Sequence, residues 1–102
     1  MELRPGSDDL PVDLAVVIPA HNADGTLGEQ LDALTAQTWA GTWCIVVVDN
    51  RSTDGTRALA ESYRTRGVRV VDATFRAGPS YARNAGVEAV MARAYAFCDG
   101  DD

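Results

Sequence analysis

The sequence predicts an α/β fold in which a parallel sheet of about four strands is flanked by helices. Short, β-branched apolar runs recur along the chain, and between them the apolar residues change to helical spacing. Strands and helices that alternate with short connections favour parallel strands joined by right-handed crossovers. Ligands of such sheets bind at the carboxyl ends of the strands, so the residues that follow each strand are the candidate site.

Composition limits the function before any motif is considered. The 102 residues allow one domain, and the formal net charge of −6 disfavours nucleic acid as a partner. No apolar run approaches the roughly 18 residues that would span a bilayer, and the N-terminus has no apolar leader, so we expect a cytoplasmic protein without a membrane segment. Cys44 and Cys98 are isolated, which predicts small buried side chains and no zinc site.

The first elements follow a polar N-terminus. Residues 1–12 contain Pro and Gly and are expected to be a flexible lead-in, which leaves 13–102 as the domain. The run 13–18, ended by a proline, predicts a strand buried on both faces. After it, leucines at helical spacing predict a helix of about 13 residues, with Thr26 and Glu29 forming a capping box.

The middle of the chain repeats the pattern. A second strand is predicted at 43–48, followed by a polar turn and a helix at about 54–66. Ser52 or Asp54 is the expected N-cap of that helix, and Gly67 its stop. A short third strand is expected just beyond that glycine.

The last elements complete the alternation. A Gly-Pro turn at 78–79 precedes a predicted helix over 80–93, and 95–98 gives a fourth strand. This strand is expected at an open edge of the sheet, which makes self-association through that edge possible.

Polar clusters follow three of the strands, at 19–22, 49–54 and 99–102. A parallel sheet would bring them to one rim, although Asn, Asp, Ser and Gly are also favoured in turns for local reasons. Asp99 and Asp101, with Asp102 adjacent, could share one hard cation, Mg²⁺ or Mn²⁺; a solvated acidic tail is the alternative. Asp49 could accept hydrogen bonds from a base or ribose, or cap a helix.

Four motifs in order resemble the family 2 glycosyltransferases of GT-A fold. They are 18–22, 48–56, Gly78 with 82–86, and the D-x-D motif at 99–102, and the resemblance covers about 13–102. His21 stands where the family has an aromatic residue, and Asn50 replaces the second Asp of its second motif. The resemblance implies a Rossmann-like GT-A half that binds a nucleotide-diphosphate sugar, and the expected donor is a UDP-sugar.

The resemblance also implies roles for individual residues. It assigns Asp101 and Asp102 to a divalent metal, Mn²⁺ or Mg²⁺. We assign no catalytic role to His21. The residues implied in donor binding are Pro19, Ala20, His21, Asn22, Asp49, Asn50, Ser52, Arg83, Asp99 and Gly100. For Asn22, capping of the first helix is the alternative, for His21 a solvated loop position, and for Arg83 a purely structural role.

The implied reaction is transfer of the sugar to an acceptor hydroxyl with inversion at the anomeric carbon. In this family the base that deprotonates the acceptor follows the D-x-D motif, so we expect a domain truncated after that motif, which binds the donor but lacks a complete catalytic site.

The rival from another class is a noncatalytic nucleotide-binding or regulatory α/β domain. A dinucleotide-binding domain would need Gly-x-Gly-x-x-Gly after the first strand, where the sequence has Pro-Ala-His-Asn. A phosphoryl-receiver domain would need a further helix, strand and Lys.

Overall fold

A computed structural model describes residues 11–38 and 40–99, and it confirms the predicted α/β class. The strands form one parallel sheet in the order β3-β2-β1-β4. Along the chain the elements are β1 (Leu14–Ala20), α1 (Leu27–Thr35), β2 (Trp43–Asp49), α2 (Thr56–Glu61), a 3₁₀ turn (Arg64–Arg66), β3 (Val68–Asp72), α3 (Pro79–Ala89) and β4 (Tyr95–Phe97).

The strand register aligns the carboxyl ends of the central strands. Ala20 at the end of β1 pairs with Asp49 at the end of β2, and Asp49 pairs with Asp72 at the end of β3. β4 pairs with β1 on the other side and forms the sheet edge within the described residues, as the sequence predicted. The loops that follow β1, β2 and β4 therefore share one rim.

The sheet is buried on both faces, which explains the continuous apolar strands. Alternate residues of β1 and β2, such as Ile18 and Val47, pack beneath α1 and α2 with Leu27 and Leu31. The intervening residues pack on the opposite face, where α3 covers them, and include Ala15, Val17, Cys44, Val46 and Val48. Cys44 is buried, as the sequence predicted, whereas Cys98 is only half-buried, so the prediction is wrong for Cys98.

The first helix is shorter than predicted and lacks its expected cap. α1 has 9 residues where about 13 were expected. Thr26 precedes it as predicted, but its side chain makes no capping hydrogen bond, so the capping box with Glu29 is wrong. The Thr26 hydroxyl is instead directed back to the carbonyl oxygen of Ala23, at 3.5 Å.

The second predicted helix is divided. α2 ends at Glu61, and the 3₁₀ turn Arg64–Arg66 carries the chain to Gly67, which has φ 88° and stops the helical segment as predicted. The amides of Gly67 and Val68 bond to the carbonyls of Arg64 and Tyr63, a closing pattern that tightens the last turn.

Two boundaries shift around β4. α3 begins at Pro79 and ends at Ala89, short of the predicted residue 93, because Val90 is extended and buried. Val12, placed in the flexible lead-in by the sequence, is instead 1% exposed and bridges to Ala92. Its side chain belongs to the core on the α3 side, so the packed chain starts before residue 13.

Within 11–38 and 40–99, no helix has the length and apolar character needed to cross a membrane.

Candidate functional site

A cleft of about 340 Å³ opens at the carboxyl rim of the sheet. One wall is the end of β1, where Pro19, Ala20 and His21 face the cleft. Asn50 and Arg51, which follow β2, form its base. The remaining wall consists of residues 77–79, Ala82, Arg83 and Asp99.

The cleft gathers many of the residues that the sequence singled out. Those that line it are Pro19, Ala20, His21, Asn50, Arg83 and Asp99. Asn22, Asp49 and Ser52 lie behind this lining, where they connect the loops. Gly100, and with it the predicted metal ligands Asp101 and Asp102, lies outside the described residues.

The sequence reasoning missed several lining residues. Arg51 was treated as a spacer within the second motif, and residues 77–79 only as a turn. The available signal was the glycine-proline pair before α3, since Gly78 has φ 118° and turns the chain into the helix. A backbone with positive φ at this point favours glycine.

His21 joins the ends of β1 and β2. The His21 Nδ1–H donates to the backbone oxygen of Asn50 at 2.7 Å, and the backbone N–H of Asn50 donates to the carbonyl of Ala20 at 2.8 Å. A neutral imidazole that donates from Nδ1 has an acceptor at Nε2, and the Asn22 side-chain amide lies 3.5 Å from that atom. The ring is thus held on the cleft wall by the backbone of the neighbouring strand end.

Asn22 and Ser52 cross-link the first two loops. The Asn22 side-chain oxygen accepts from the backbone N–H of Thr53 at 2.7 Å, and the backbone N–H of Asn22 donates to the Ser52 hydroxyl at 3.1 Å. Asn22 has φ 49°, an unusual conformation for a residue with a side chain, which these bonds maintain. Both residues therefore set the relative position of the loops that follow β1 and β2.

Asp49 is 5% exposed at the end of β2. Its Oδ1 accepts from the Ser52 amide at 3.3 Å, as in a turn-stabilising role. Its Oδ2 has no hydrogen-bond partner within the described ranges, so one carboxylate oxygen remains for a ligand.

The start of α2 is fixed by a pair of aspartates. The Asp54 carboxylate accepts from the amide and the hydroxyl of Thr56, but Gly55 occupies the N-cap position, so the prediction of Ser52 or Asp54 as the N-cap is wrong. The hydrogen bond from the Thr56 hydroxyl lowers the pKa of Asp54 below its usual value. Asp24 accepts from the Gly55 amide at 3.1 Å, which ties the β1 loop to the same helix start. These carboxylates are structural.

Arg83 lines the cleft, and no described residue pairs with its positive charge. Its side chain is half-buried between the cleft and a second, adjoining cavity of about 490 Å³, which is also lined by Gln30, Phe97 and Asp99. Across 11–38 and 40–99 it forms no ion pair or hydrogen bond of its side chain. A guanidinium in this position is suited to a phosphate or carboxylate group of a ligand.

Gln30 fixes the beginning of the D-x-D segment. Its side-chain amide donates to the carbonyl oxygen of Asp99 at 2.8 Å, and its own Oε1 is buried without a partner. No cluster of three or more potential metal-ligating side chains is found in the part of the chain that the structure describes. The chemistry of the remaining candidates fits a hard cation, because Asp99 at the cleft and the aspartates after it offer carboxylate oxygens.

A parallel sheet with a polar cleft at its carboxyl rim, whose wall holds a guanidinium unpaired among the described residues, is typical of an α/β domain of the nucleotide-binding class. The chain belongs to glycosyl transferase family 2, whose model matches residues 15–102. This confirms the family that the four motifs indicated.

The chain is similar to several curated glycosyltransferases. It is 36% identical over 98 residues to the succinoglycan biosynthesis protein ExoO of Rhizobium meliloti, covering 96% of this chain and 28% of that protein. It is 27% identical over 89 residues to the UDP-Glc:alpha-D-GlcNAc-diphosphoundecaprenol beta-1,3-glucosyltransferase WfgD of Escherichia coli, covering 87% of this chain and 35% of that protein. The chain therefore spans about a third of the length of these relatives, or less.

Solved structures share the fold. The S. aureus TarS structure in complex with UDP superposes with a TM-score of 0.80 at 28% identity, covering 87% of this chain and 27% of that one. The glucosyl-3-phosphoglycerate synthase of Mycobacterium tuberculosis, solved with Mn²⁺, UDP-glucose and phosphoglyceric acid, gives 0.73 at 25% identity, covering 87% of this chain and 33% of that one. These neighbours have the GT-A fold, so the Rossmann-like GT-A assignment is confirmed.

Proposed function

We propose that the cleft binds the nucleotide-diphosphate sugar, most readily a UDP-sugar, of an inverting glycosyltransferase that acts on an acceptor hydroxyl. The observation that carries this proposal is the Arg83 guanidinium, which no described residue pairs with, in a cleft at the ends of β1, β2 and β4. An acidic chain needs such a local cation to bind a diphosphate. The structural neighbours solved with UDP, UDP-GlcNAc and UDP-glucose support this class of ligand.

The residues at the rim divide the donor between them. Pro19, Ala20 and His21 offer a wall for the nucleoside, and the free Oδ2 of Asp49 offers an acceptor for a base N–H or a ribose hydroxyl. Arg83 pairs with the diphosphate, and Asp99 contacts the ribose or the sugar. In this arrangement Asn22 and Ser52 support the binding loops and touch the donor only at their edge.

A divalent ion, Mn²⁺ or Mg²⁺, would be held by Asp101 and Asp102. Bound there, it supplies a Lewis acid that stabilises negative charge on the departing nucleotide. The chain's own residues orient the donor: Arg83 holds the diphosphate, and the hydrogen bond from the Gln30 side chain to the Asp99 carbonyl fixes the chain just before the ligands. Deprotonation of the acceptor requires a further carboxylate, which we expect to follow the D-x-D motif.

Calorimetric titration with UDP, with and without Mn²⁺, tests the proposal. The chain should bind UDP in the presence of Mn²⁺, and Asp101→Asn should abolish the metal-dependent part of the binding. Glu88→Gln makes the same charge change on the exposed surface of α3 and should bind like the unsubstituted chain. Metal-independent binding of a different nucleotide, unchanged in Asp101→Asn, would favour the noncatalytic regulatory domain.

The cytoplasmic location and the lack of a nucleic-acid partner stay predictions, which cell fractionation and a DNA-binding assay test.

A further inference from the structure

We infer that Asn50 is a positioning residue that holds residues 73–78, termed the cleft loop, against the end of β2 and thereby sets the shape of the donor cleft. The cleft loop connects β3 to α3 and has no helix or strand of its own. Its backbone groups consequently need partners from elsewhere in the chain. The consequence for ligand binding rests on the proposed function; the contacts themselves do not.

The Asn50 carboxamide is fully engaged with this loop. Its two N–H groups donate to the carbonyl oxygens of Ala73 and Arg76, both at 2.7 Å, and its oxygen accepts from the Gly78 amide at 2.9 Å. The side chain is buried, because Asn50 is 5% exposed. Its own backbone is anchored to Ala20 of β1, so the loop is fastened to the centre of the sheet.

Arg51 fastens the outer part of the same loop. Its Nε and Nη2 donate to the carbonyl oxygens of Thr74 and Phe75, at 2.8 and 2.9 Å. Arg51 has φ 61°, a left-handed conformation that most side chains avoid, and this conformation accompanies the forked contact. Two consecutive residues after β2 therefore satisfy four carbonyls and one amide of the cleft loop.

The loop in turn places two parts of the cleft. Ala77 and Gly78 are lining residues themselves, and α3 starts directly after them and carries Arg83 into the cleft. A shift of the loop would change both the width of the cleft and the position of its free guanidinium. Asn50 thus acts on a ligand through the loop and α3, in addition to lining the cleft.

The amide group of Asn50 is chemically required for this role. The family resemblance has Asp at this position, and a carboxylate could still accept from the Gly78 amide. It could not donate to the two carbonyls, however, and would bring a negative charge against both oxygens in a buried place. The side-chain N–H groups are already used, so Asn50 has none left to read a nucleobase, and the loop that it holds is its contribution to donor selection.

Hydrogen exchange of the free chain tests the inference without any ligand. In Asn50→Asp, the hydrogen-bonded amides of the cleft loop, those of Ala73 and Gly78, should exchange roughly tenfold faster or more, as expected when about 1.4 kcal/mol of local protection is lost. Amides of β1 and β2 should keep their rates. Gln37→Glu makes the same charge change at an exposed site and should leave the loop unchanged. Loop exchange that stays within about twofold of the original in Asn50→Asp would overturn the inference.

A second readout connects the loop to binding. UDP with Mn²⁺ should bind about five- to tenfold more weakly to Asn50→Asp, since ordering the loop then opposes binding. Faster loop exchange with unchanged UDP affinity would overturn the positioning role. If the unsubstituted chain binds no UDP, the proposed function fails, and the exchange measurement alone decides whether the loop is held by Asn50.

Arg51→Ala covers the case in which Asn50→Asp does not fold. Arg51 is exposed, so its loss should leave the core intact while the hydrogen-bonded Ala73 amide, next to the two carbonyls that Arg51 holds, exchanges faster. Arg64→Ala removes an exposed arginine remote from the cleft loop and serves as the control. Equal exchange in Arg51→Ala and Arg64→Ala would count against the fastening of the loop by residues 50 and 51.

Discussion

Substitution of Gly86 by Ala should destabilise the domain, although alanine is the better helix former. Gly86 lies on the buried face of α3, where the helix crosses β1 and β2. A Cβ atom at this position would lie 2.4 Å from Cγ1 of Val17 and 2.9 Å from Cγ2 of Val48. Both valines are 0% exposed, so they have no free space into which to move.

The size of the effect follows from two opposing terms. Overpacking of a core costs about 1–3 kcal/mol, and stiff β-branched neighbours at such short distances favour the upper end of that range. Replacing a helical glycine by alanine returns about 1 kcal/mol. The net loss is then about 2 kcal/mol of unfolding free energy, which lowers the Tm by roughly 8–16 °C in a domain of this size.

Thermal unfolding followed by circular dichroism measures this loss, and Gly28→Ala provides the control. Gly28 lies in α1, and a Cβ there would lie 3.7 Å from a Leu59 methyl, which is ordinary contact. Gly28→Ala should therefore stabilise the domain by about 0.5–1 kcal/mol. The clash should be relieved in a Val17→Ala background, where Gly86→Ala should cost less. An unchanged or raised Tm for Gly86→Ala alone would refute the packing argument.

Two further predictions concern the surface. The Tyr63 hydroxyl and the Arg66 guanidinium both donate hydrogen bonds to the Asp32 carboxylate, and these contacts, that of Tyr63 first, lower the pKa of Asp32. The carboxylate therefore stabilises the fold above about pH 4, and this stabilisation is lost as the pH falls through the lowered pKa. Asp32→Asn should consequently flatten the acid limb of a plot of unfolding free energy against pH, and an unchanged acid limb would argue against this contact. The open edge at β4, where Phe97 is 48% exposed, should support concentration-dependent self-association, seen as earlier elution in size-exclusion chromatography. Phe97→Lys should suppress the shift, and a monomer at every concentration of the unsubstituted chain would contradict the prediction.

The sequence was sufficient to predict the order and type of the strands and helices. The period of the apolar residues determines them, because strands buried on both faces show continuous runs and helices show a three-to-four spacing. Element ends were less predictable. Thr26 and Glu29 have the residue types of a capping box, yet the Thr26 hydroxyl is directed to a nearby carbonyl, an outcome that depends on the approach of the chain from β1. Likewise, Val12 looks like part of a loose terminus until its pairing with Ala92 is known.

The site was predictable as a location but not in its division of roles. Residues after β1, β2 and β4 were expected at one rim, since parallel strands end on the same side, and most of those described line one cleft. What the sequence could not distinguish was a side chain that faces a ligand from one that joins two loops. Asn22 and Ser52 have ligand-binding chemistry, but their hydrogen bonds run between loops that are about thirty residues apart in the chain.

The two arginines of the cleft illustrate why this distinction matters for binding. Arg51 and Arg83 both line it, and by residue type either could neutralise a diphosphate. The Arg51 guanidinium, however, already donates to two carbonyls of the cleft loop, and moving it to a ligand would leave those carbonyls without their partners. Arg83 has no such obligation within the described residues. On the proposed function, direct neutralisation of the diphosphate in this acidic chain therefore depends on Arg83 and on the divalent ion, while Arg51 contributes through the shape of the loop.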